Sequence, residues 1–432
     1  MSEWTTSKLS DVIEIIGGGT PKRSETSYWN GNIPWLSVGD FNNDFRFVSN
    51  TSEKISKLGL QNSSTKLLKA GQLILSARGT VGCLAQLSIP MAFNQSCYGL
   101  NGKENIIDNG FLYYFLKNNI NELKQKTHGS VFDTITRNTF EQINISYPNI
   151  KTQQVIARTL GFFDNKITLN TQTNQTLEQI AQGIFKHWFI DFAPVHAKAN
   201  ALASGASPEQ AELAAMACLS GKTVEKITAL KTQDPTTYHQ LQQTAAAFPS
   251  EFVETEMGKV PRGWEVKKID EVIQKIPVGK KYNQKTTVPD GKIPVLDQGK
   301  SGIIGYHNNI AGVKASIQDP VIVFANHTCY MRLIHFDFSA IQNVFAFKGQ
   351  SINIYWLYLA TLGKQTFVEY KGHFPDFLIK QIVVPPKELT EIFGNLVQNS
   401  FSKIALNLEN NAILAKTRDL LLPKLLNGEV EL

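Results

Sequence analysis

The sequence has few cysteines and no long apolar run. The cysteines lie far apart and form no CxxC or CxxH pair, which argues against a disulfide framework and against a zinc site. No stretch of about 18 apolar residues is present, and the first residues, MSEWTTSKLSD, lack the apolar core of a signal peptide. We therefore expect reduced, buried thiols at Cys83, Cys97, Cys218 and Cys329 and a cytoplasmic location.

The charge of the chain is only mildly basic. A formal net charge of +6 permits nucleic-acid binding but does not require it. Hydrophobic residues make up 42% of the sequence and charged residues 19%, which is typical of a folded protein rather than a disordered one. At 432 residues the chain is too long for one ordinary core, so we expect two or three domains.

The motifs of several common enzyme classes are missing. The stretch GGGTPK from Gly17 lacks the second Gly-Lys of a phosphate-binding loop, and contiguous glycines do not match GxGxxG. NPPY, DPPY and FxGxG, which mark amino-methyltransferases, are absent. Pro289 and Asp290 are followed by Asp297 and Lys300 as DxxK, which departs from the nuclease spacing (D/E)xK. The histidines show no HExxH spacing, so the sequence indicates no catalytic residues and no metal ligands.

An internal repeat is the strongest pattern that the sequence contains. Trp4 matches Trp264 at an offset of 260, and GNIPWL matches GKIPVL at the same offset. QLILSAR (72–78) resembles PVIVFAN (320–326) at an offset of 248, and the offset has fallen to 237 by the end of each copy. Two copies that match in their conserved segments and differ in the sequence between them are typical of duplication followed by divergence of a recognition surface.

The last third of each copy has a heptad pattern. Large apolar residues recur at alternating steps of four and three over residues 156–188 and over the aligned residues 393–425, which predicts a long helix in each copy. Asparagines occupy the same two positions of both patterns. Antiparallel pairing would place them opposite each other and fix the register, whereas the alternative is that they are solvated. The expected pairs are Asn170 with Asn411 and Asn174 with Asn407.

The remainder of each copy mixes short apolar strands with one shared helix, which predicts an α+β domain used twice. We expect two similar globular domains joined by two long antiparallel coiled-coil helices with pseudo-twofold symmetry. The predicted domains are the first globular domain at 1–150, the first long helix at 151–192, a connector with helical pieces at 193–262, the second globular domain at 263–386 and the C-terminal long helix at 387–432.

Basic and polar residues cluster in loops that correspond between the copies. Loops on a rigid sheet often carry binding residues, and cations beside hydroxyls and aromatic rings suit a phosphodiester backbone. Ordinary solvated turns are the alternative. The DNA-binding candidates are Thr20, Lys22, Arg23, Tyr28, Arg78, Thr80, His128 and Ser130 in the first copy, and Lys280, Lys281, Tyr282, Lys300, His327, Lys371 and His373 in the second.

The first long helix has more apolar surface near its end than contact with one other helix along a single apolar stripe (the seam) requires. Ile180, Phe185, Trp188 and Phe189 lie around the helix, and such a surplus predicts an interface with a partner protein. Packing against the globular domains of the same chain is the alternative interpretation.

These features together resemble the specificity (S) subunits of type I restriction-modification enzymes. GGGTPKRSETSYWNGNIPWLSVGD (17–40) is similar to the start of a target recognition domain in that family. NISYPNIKTQQVIARTLGFFDNKI, IFKHWFIDFAPV and MGKVPRGWEV resemble its central conserved region and the start of a second recognition domain, and DLLLPKLLNGEVEL resembles its C-terminal end. The resemblance covers essentially the whole chain. In the second copy, however, KIPVGKKYNQKT stands in place of GGGTP.

The resemblance implies a recognition subunit without catalytic activity of its own. Each recognition domain would read one half of a bipartite site in double-stranded DNA, while the helices set the spacer and dock two methyltransferase (modification) subunits. Restriction subunits would complete the complex. S-adenosylmethionine, ATP and Mg are then expected on the partner subunits, with no cofactor or metal in this chain. The competing hypotheses are a stand-alone DNA-modifying enzyme, such as a methyltransferase-nuclease fusion, and a structural coiled-coil scaffold.

Overall fold

The chain folds into two compact units. The computed structural model describes residues 4–43, 45–125, 134–299 and 302–430. The first unit comprises residues 1–172 and 407–432, and the second unit comprises residues 173–406. Each unit therefore combines one globular region with one end of each long helix.

The first unit is built on two small sheets and a two-stranded ribbon. Its strands are β1 (Thr5–Lys8), β2 (Ile13–Gly17), β3 (Trp29–Leu36), β4 (Phe47–Val48), β5 (Glu53–Ile55), β6 (Leu67–Leu68), β7 (Leu73–Ser76), β8 (Leu84–Leu87), β9 (Met91–Phe93), β10 (Cys97–Gly102) and β11 (Asn144–Tyr147). Its short helices are α1 (Leu9–Val12), α2 (Val38–Phe41), α3 (Lys57–Gln61), α4 (Asn109–Asn118), α5 (Ile120–Gln125) and α6 (Arg137–Glu141). The strand orders are β2-β10-β7-β8-β4 and β5-β3-β9-β6, and β1 pairs antiparallel with β11.

The first long helix, α7 (Ile150–Phe185), runs from the first unit into the second and continues as a π-helical turn (Lys186–Ile190). Four connector helices follow: α8 (Ala193–Ala203), α9 (Pro208–Ser220), α10 (Val224–Gln233) and α11 (Pro235–Ala246). Two of them, α9 and α11, fall in the stretches SPEQAELAAMACLS (207–220) and DPTTYHQLQQTAAAF (234–248), which are the helical pieces expected in the connector. Around Ala215, Met216, Ile227 and Ala245 the connector has a small core of its own.

The remaining elements form the rest of the second unit and the second long helix. The strands are β12 (Phe252–Thr255), β13 (Gly258–Pro261), β14 (Glu265–Lys268), β15 (Ile273–Ile276), β16 (Lys281–Tyr282), β17 (Ile293–Leu296), β18 (Ile303–His307), β19 (Val321–Ala325), β20 (Met331–Ile334), β21 (Ser339–Ile341), β22 (Val344–Gly349) and β23 (Gln381–Val384). The helices are α12 (Ile269–Val272), α13 (Ile354–Thr361), α14 (Phe374–Leu378) and α15 (Lys387–Leu426). The larger sheets have the orders β15-β22-β19-β20 and β16-β21-β17-β18.

The strand orders confirm the duplication expected from the sequence. The order β2-β10-β7-β8 in the first unit repeats as β15-β22-β19-β20 in the second, and the β1–β11 ribbon repeats as β14–β23. Starting residues reproduce the three sequence offsets: β2 and β15 differ by 260, β7 and β19 by 248, and α7 and α15 by 237. The fold is therefore α+β, with two similar globular regions joined by two long helices.

Buried strands and one helix form the core of each globular region. Every residue of β7 and of β19 is buried, which explains why both strands have nearly continuous apolar sequences. The helices α4 and α13 share a hydrophobic core with these strands and bury almost their whole length. Asp108 accepts a hydrogen bond from the backbone N–H of Phe111 at 3.0 Å, and Asn353 accepts one from Tyr355 at 3.0 Å, so both helices begin at a side-chain cap.

The two long helices run antiparallel within each unit. In the first unit Asp164 of α7 contacts Arg418 of α15, and in the second unit the Phe185 and Phe393 rings lie 5.7 Å apart. The register in the first unit agrees with the heptad pattern, since Asn170 is hydrogen bonded to Asn411 as that pattern predicts. Among the helices that the structure describes, none is long and apolar enough to cross a membrane.

Candidate nucleic-acid interface

The contiguous glycines of the first unit allow the backbone of the loop after β2 to pack directly against the backbone of neighbouring segments. A Cβ atom at Gly18 would lie 2.1 Å from the carbonyl oxygen of Asn94, and one at Gly19 would lie 2.5 Å from the backbone nitrogen of Thr65. The N–H of Gly19 donates to the carbonyl of Phe93 at 3.0 Å. These glycines are therefore needed for close backbone packing, which is a different role from flexibility or from holding phosphate groups.

Arg23 is exposed but already has a carboxylate partner. Its guanidinium forms two hydrogen bonds with Glu53, the longer of them 3.0 Å, and this contact raises the pKa of Arg23. The guanidinium carbon lies 4.0 Å from the centre of the Trp29 ring and 5.1 Å from that of Trp35. A phosphate would have to share Arg23 with Glu53, so this side chain is a weaker phosphate ligand than its exposure suggests.

The other candidates of this loop divide into supporting and exposed residues. The hydroxyl of Thr20 donates to Gln95, and the carbonyl of Tyr28 accepts a hydrogen bond from the N–H of Ser56 at 2.9 Å, so both hold the loop in place. Lys22 is exposed, and its carbonyl oxygen accepts a hydrogen bond from the Trp29 indole at 3.2 Å. The ammonium group of Lys22 therefore extends from a loop whose backbone is fixed.

Arg78 and Thr80 are both exposed in the turn after β7. The Ser76 hydroxyl donates to the carbonyl of Thr80 at 2.6 Å and fixes the turn. The N–H of Ile135 donates to the carbonyl of Ala77 at 3.0 Å, which places the chain preceding α6 beside this turn. The candidates His128, Ser130 and Lys300 lie outside the residues that the structure describes.

In the second unit the equivalent of the first loop rests on a stack of two rings. Tyr282 is buried and its ring lies parallel to that of His307, with centres 4.1 Å apart. This corrects the prediction that Tyr282 contacts DNA, because its ring face is already covered. Lys280 and Lys281 are exposed, and Lys280 Nζ lies 5.3 Å from the centre of the Tyr282 ring.

His307 is held neutral under this stack. The N–H of Asn309 donates to His307 Nδ1 at 3.0 Å, which leaves the proton on Nε2, 2.9 Å from the Ser339 hydroxyl. Burial, together with the nearby charge of Lys280, lowers the pKa of His307. Desolvation by the surrounding chain also lowers the pKa of Lys281, although the residue is exposed. The second unit thus presents Lys280 and Lys281 next to a rigid stack of two uncharged rings.

The structure brings together the remaining candidates of the second unit, which come from two loops. His327 Nδ1 donates to the carbonyl of Lys371 at 2.8 Å, and Asn343 donates to His327 Nε2 at 3.1 Å. His373 is buried and its Nε2 donates to the carbonyl of Glu369 at 2.9 Å, so the prediction that it contacts DNA is wrong. Both histidines fix the backbone of the loop at 366–372.

The tip of this loop carries exposed apolar residues that the sequence interpretation missed. Phe367, Val368 and Tyr370 are 56%, 75% and 85% exposed. The Tyr370 ring lies over His327 with centres 5.1 Å apart and planes 11° apart. Lys371 lies 3.2 Å from Glu369, whose hydrogen bond raises the pKa of Lys371. The pattern TFVEYK, with apolar residues between charged ones before a short helix, was the available signal.

Of the two asparagine pairs expected between the long helices, one is observed within the first unit and the other stays a prediction. Asn170 Nδ2 donates to Asn411 Oδ1 at 2.8 Å, and Asn411 Nδ2 donates to the Thr171 hydroxyl at 3.3 Å, all within the first unit. Asn174 belongs to the second unit and Asn407 to the first, so the pairing expected for them stays a prediction.

The expected partner interface on the first long helix is largely internal. Phe185, Trp188 and Phe189 are buried in the main core of the second unit, where their rings pack around Phe393. This corrects the interface prediction for those three residues, since the globular region of the same chain covers them. Ile180 is 51% exposed. Among the described residues no group of three or more side chains could hold a metal ion.

Comparison with known proteins gives one consistent family. Residues 1–179 match the type I restriction modification DNA specificity domain. The chain is 32% identical to the HindI specificity subunit of Haemophilus influenzae, with 100% of both chains covered, and 25% identical to the MjaIX specificity subunit of Methanocaldococcus jannaschii, with 99% and 94% covered. The solved S subunit of M. genitalium shares the fold, with a TM-score of 0.52 at 14% identity and coverage of 98% and 96%. The chain therefore belongs to the family of type I restriction enzyme specificity subunits.

Proposed function

We propose that this chain recognises the DNA sequence for a type I restriction-modification complex, with each unit reading one half of a bipartite site. The observation that carries the proposal is a strand frame used twice with unlike loops at equivalent positions. A repeated frame offers two similar docking surfaces, while unlike loops read unlike base sequences. Family membership supports DNA as the ligand.

Exposed cations supply the contacts to the DNA backbone. Lys22 and Arg78 extend from fixed turns of the first unit, and Lys280 and Lys281 extend from the ring stack of the second. Contacts of this kind release counterions, so the affinity falls as the salt concentration rises and depends little on base sequence. Arg23 contributes less, because Glu53 holds its guanidinium.

The apolar tip of the second unit reads base edges. Val368 and Tyr370 are among its most exposed side chains, and two histidines hold the loop beneath them. Apolar side chains recognise the methyl group of thymine in the major groove. We therefore assign sequence preference in the second half-site to this tip and phosphate binding to Lys280 and Lys281.

The long helices dock the partner proteins and set the distance between the half-sites. Two modification subunits carry S-adenosylmethionine and methylate the DNA, restriction subunits supply the ATP- and Mg-dependent cleavage, and this chain has no catalytic role. Exposed apolar side chains along the helices support protein docking, since such residues otherwise avoid water. They include Phe162, Leu169, Ile180, Leu408, Ile413 and Leu420.

Methylation of mixed components tests the proposal. The chain, a candidate modification subunit and their mixture are each incubated with S-adenosylmethionine and genomic DNA, and methylated bases are mapped by sequencing. Only the mixture should methylate, and only at sites made of two fixed half-sites with a constant spacer. Methylation by this chain alone would contradict the proposal, and so would a modification subunit whose site choice does not change when the chain is added.

Matched variants separate the two units. The pair Lys22→Ala and Arg78→Ala removes cations of the first unit, and the pair Lys280→Ala and Lys281→Ala removes cations of the second. Each pair should weaken binding and reduce the slope of affinity against salt by about two, while both half-site sequences stay the same. A change in the half-site sequences would show that these residues read bases instead.

A further inference from the structure

A chain of buried polar groups connects the long helices to the globular region of the first unit. Arg46 Nη1 donates to the Tyr114 hydroxyl at 3.2 Å, and that hydroxyl donates to Asp164 Oδ2 at 2.5 Å. The other carboxylate oxygen of Asp164 accepts a hydrogen bond from Arg418 of α15. Asp164 is 4% exposed and Arg418 is 9% exposed, so the two charges meet almost without water.

The second unit has buried apolar residues at the equivalent positions. The offset of 237 aligns Asp164 with Phe401, and it aligns Arg418 with Ala181. Phe401 is buried, with its ring 5.1 Å from that of Tyr355. Ala181 is buried in the same core cluster. One pair of equivalent seam positions is therefore charged in the first unit and apolar in the second.

The asparagines, in contrast, do not distinguish the two helices. Asn170 contacts Asn411 in the first unit, and the offset of 237 aligns Asn411 with Asn174. Any pairing of the two helices in this register, like or unlike, places asparagine opposite asparagine. These asparagines can fix the register of the helix pair, but they do not favour the unlike pair over the like pair.

We propose that Asp164 and Arg418 select the partner of each long helix, favouring the unlike helix of the same chain over the like helix of a second copy. Two copies of α7 paired in this register would place each Asp164 opposite Ala181. Two copies of α15 would place each Arg418 opposite Phe401. Like pairing thus leaves Asp164 with only Lys117, 3.9 Å away, and Arg418 with only the exposed Asp419 as charged partners. Unlike pairing forms the buried ion pair and keeps Phe401 and Ala181 in one apolar core.

Such selection matters because the duplicated fold offers a similar docking surface to both helices. The globular regions share their strand order, and both long helices begin directly after the same ribbon strand, β11 or β23. Unlike pairing within a chain keeps one copy of each globular region together. Like pairing would join identical regions and would produce a protein with two identical recognition surfaces.

A chain cut in place tests the selection. A protease site is inserted in the exposed turn at 204–206, between α8 and α9, and the purified full chain is cleaved there. Two preparations with different tags on the N-terminal fragment are mixed in urea and refolded by dilution. Native mass spectrometry then gives the ratio of like pairs, which contain both tags, to unlike pairs of N-terminal and C-terminal fragments.

The double variant Asp164→Leu with Arg418→Ala makes the first unit apolar as the second is. We expect it to raise the ratio of like to unlike pairs at least tenfold over the unsubstituted chain. The contacts of α8 with α9 are the same in both proteins, so their effect cancels in the comparison. If the Leu/Ala variant does not refold, Asp164→Asn with Arg418→Gln removes both charges and keeps a polar side chain at each position, and the ratio should rise in the same direction.

The matched control removes one exposed charge from each helix, by Lys166→Ala with Glu409→Ala, and should leave the ratio within twofold. An unchanged ratio in whichever of the two charge-removing variants refolds would overturn the proposal. An equal rise in the control would overturn it too, because the ratio would then respond to the loss of any charge from the helices and not specifically to the buried pair.

Discussion

In the first unit, glycines let the loop after β2 lie on the backbone of its neighbours, and a carboxylate holds the exposed arginine of that loop. In the second unit, the equivalent loop places two lysines above a stacked Tyr282 and His307. The strands beneath both loops have the same order. The difference teaches that the sheet frame does not dictate the chemistry of its loops, so each unit can acquire its own ligand preference without a new fold.

The interiors of the two units differ as much as their loops do. In the first unit a buried ion pair joins the two long helices, and a tyrosine hydroxyl joins them to the globular region. In the second unit packed aromatic rings join a long helix to the globular region. Seven of the eight histidines belong to the second unit. The first unit should therefore respond most to loss of a charge, and the second to loss of a ring or to acid.

The largest effect is expected from breaking the buried ion pair. Arg418→Ala leaves Asp164 buried without its main partner, and should lower the free energy of unfolding by about 3–5 kcal/mol. Asp164→Asn with Arg418→Gln should cost less than the single change, because no buried charge is left unpaired. Urea unfolding measures both variants.

Phe401→Ala is the matched change in the second unit. It should also cost about 3–5 kcal/mol, through loss of a buried ring. This comparison between the units breaks down if Arg418→Ala costs less than 1 kcal/mol, or if the double variant is the less stable of the two.

Acid should destabilise the second unit through His335. Burial lowers the pKa of His335 to about 4, and its Nε2 has no hydrogen-bond partner among the described residues. This histidine takes up a proton near pH 6.5 in the unfolded chain but not in the folded chain. Its contribution to stability is therefore constant above that pH and falls as the pH drops towards 4, by about 3 kcal/mol at most.

The variant His335→Leu isolates this contribution. The difference in unfolding free energy between pH 7.5 and pH 4.5, measured with urea, should be smaller in the variant than in the unsubstituted chain. Equal pH dependence in the two proteins would show that His335 is protonated in the folded state.

The sequence predicted the frame well because repetition and heptad spacing act over many residues. The offsets from Trp4 onward located equivalent strands, and the seam positions located Asn170 and Asn411. Single side chains were harder. Tyr282 and His373 looked like ligands from their basic neighbours, but their exposure depends on residues distant in sequence, such as His307. Such long-range contacts leave no local pattern.

The aromatic residues near the end of α7 show the same limit. Phe185 and Trp188 exceed what one seam needs, and the excess is equally compatible with a partner protein and with the chain's own core. The choice depends on the position of Phe393, which lies more than two hundred residues later. Only the folded chain decides between these possibilities.

A smaller effect is expected from the glycine loop that distinguishes the first unit. Gly18→Ala would place a Cβ against the carbonyl of Asn94, so the loop must move, and we expect a loss of about 1–3 kcal/mol measured by thermal unfolding. Gly17→Ala is the matched control, because a Cβ there has no atom within 4 Å and the backbone has ordinary φ. If the two variants had the same melting temperature, flexibility and not close packing would explain the need for these glycines.

The smallest effect should come from the apolar tip of the second unit. Tyr370→Ala removes a ring that is mostly in water, so the fold should keep its stability, while affinity for DNA should fall on the order of tenfold, about 1.4 kcal/mol. Met257→Ala is the control, since Met257 is exposed on the hairpin between β12 and β13. Fluorescence anisotropy with the assembled complex measures the affinity.

The loss with Tyr370→Ala should depend on sequence, because the ring is proposed to contact base edges and not phosphates. Three DNAs are compared: the full site, the site with its second half-site scrambled, and the site with its first half-site scrambled. The loss should be large with the first and third DNAs and small with the second. A loss that is equal for all three DNAs would assign Tyr370 to the DNA backbone, and would move sequence reading in the second unit from this tip to another loop.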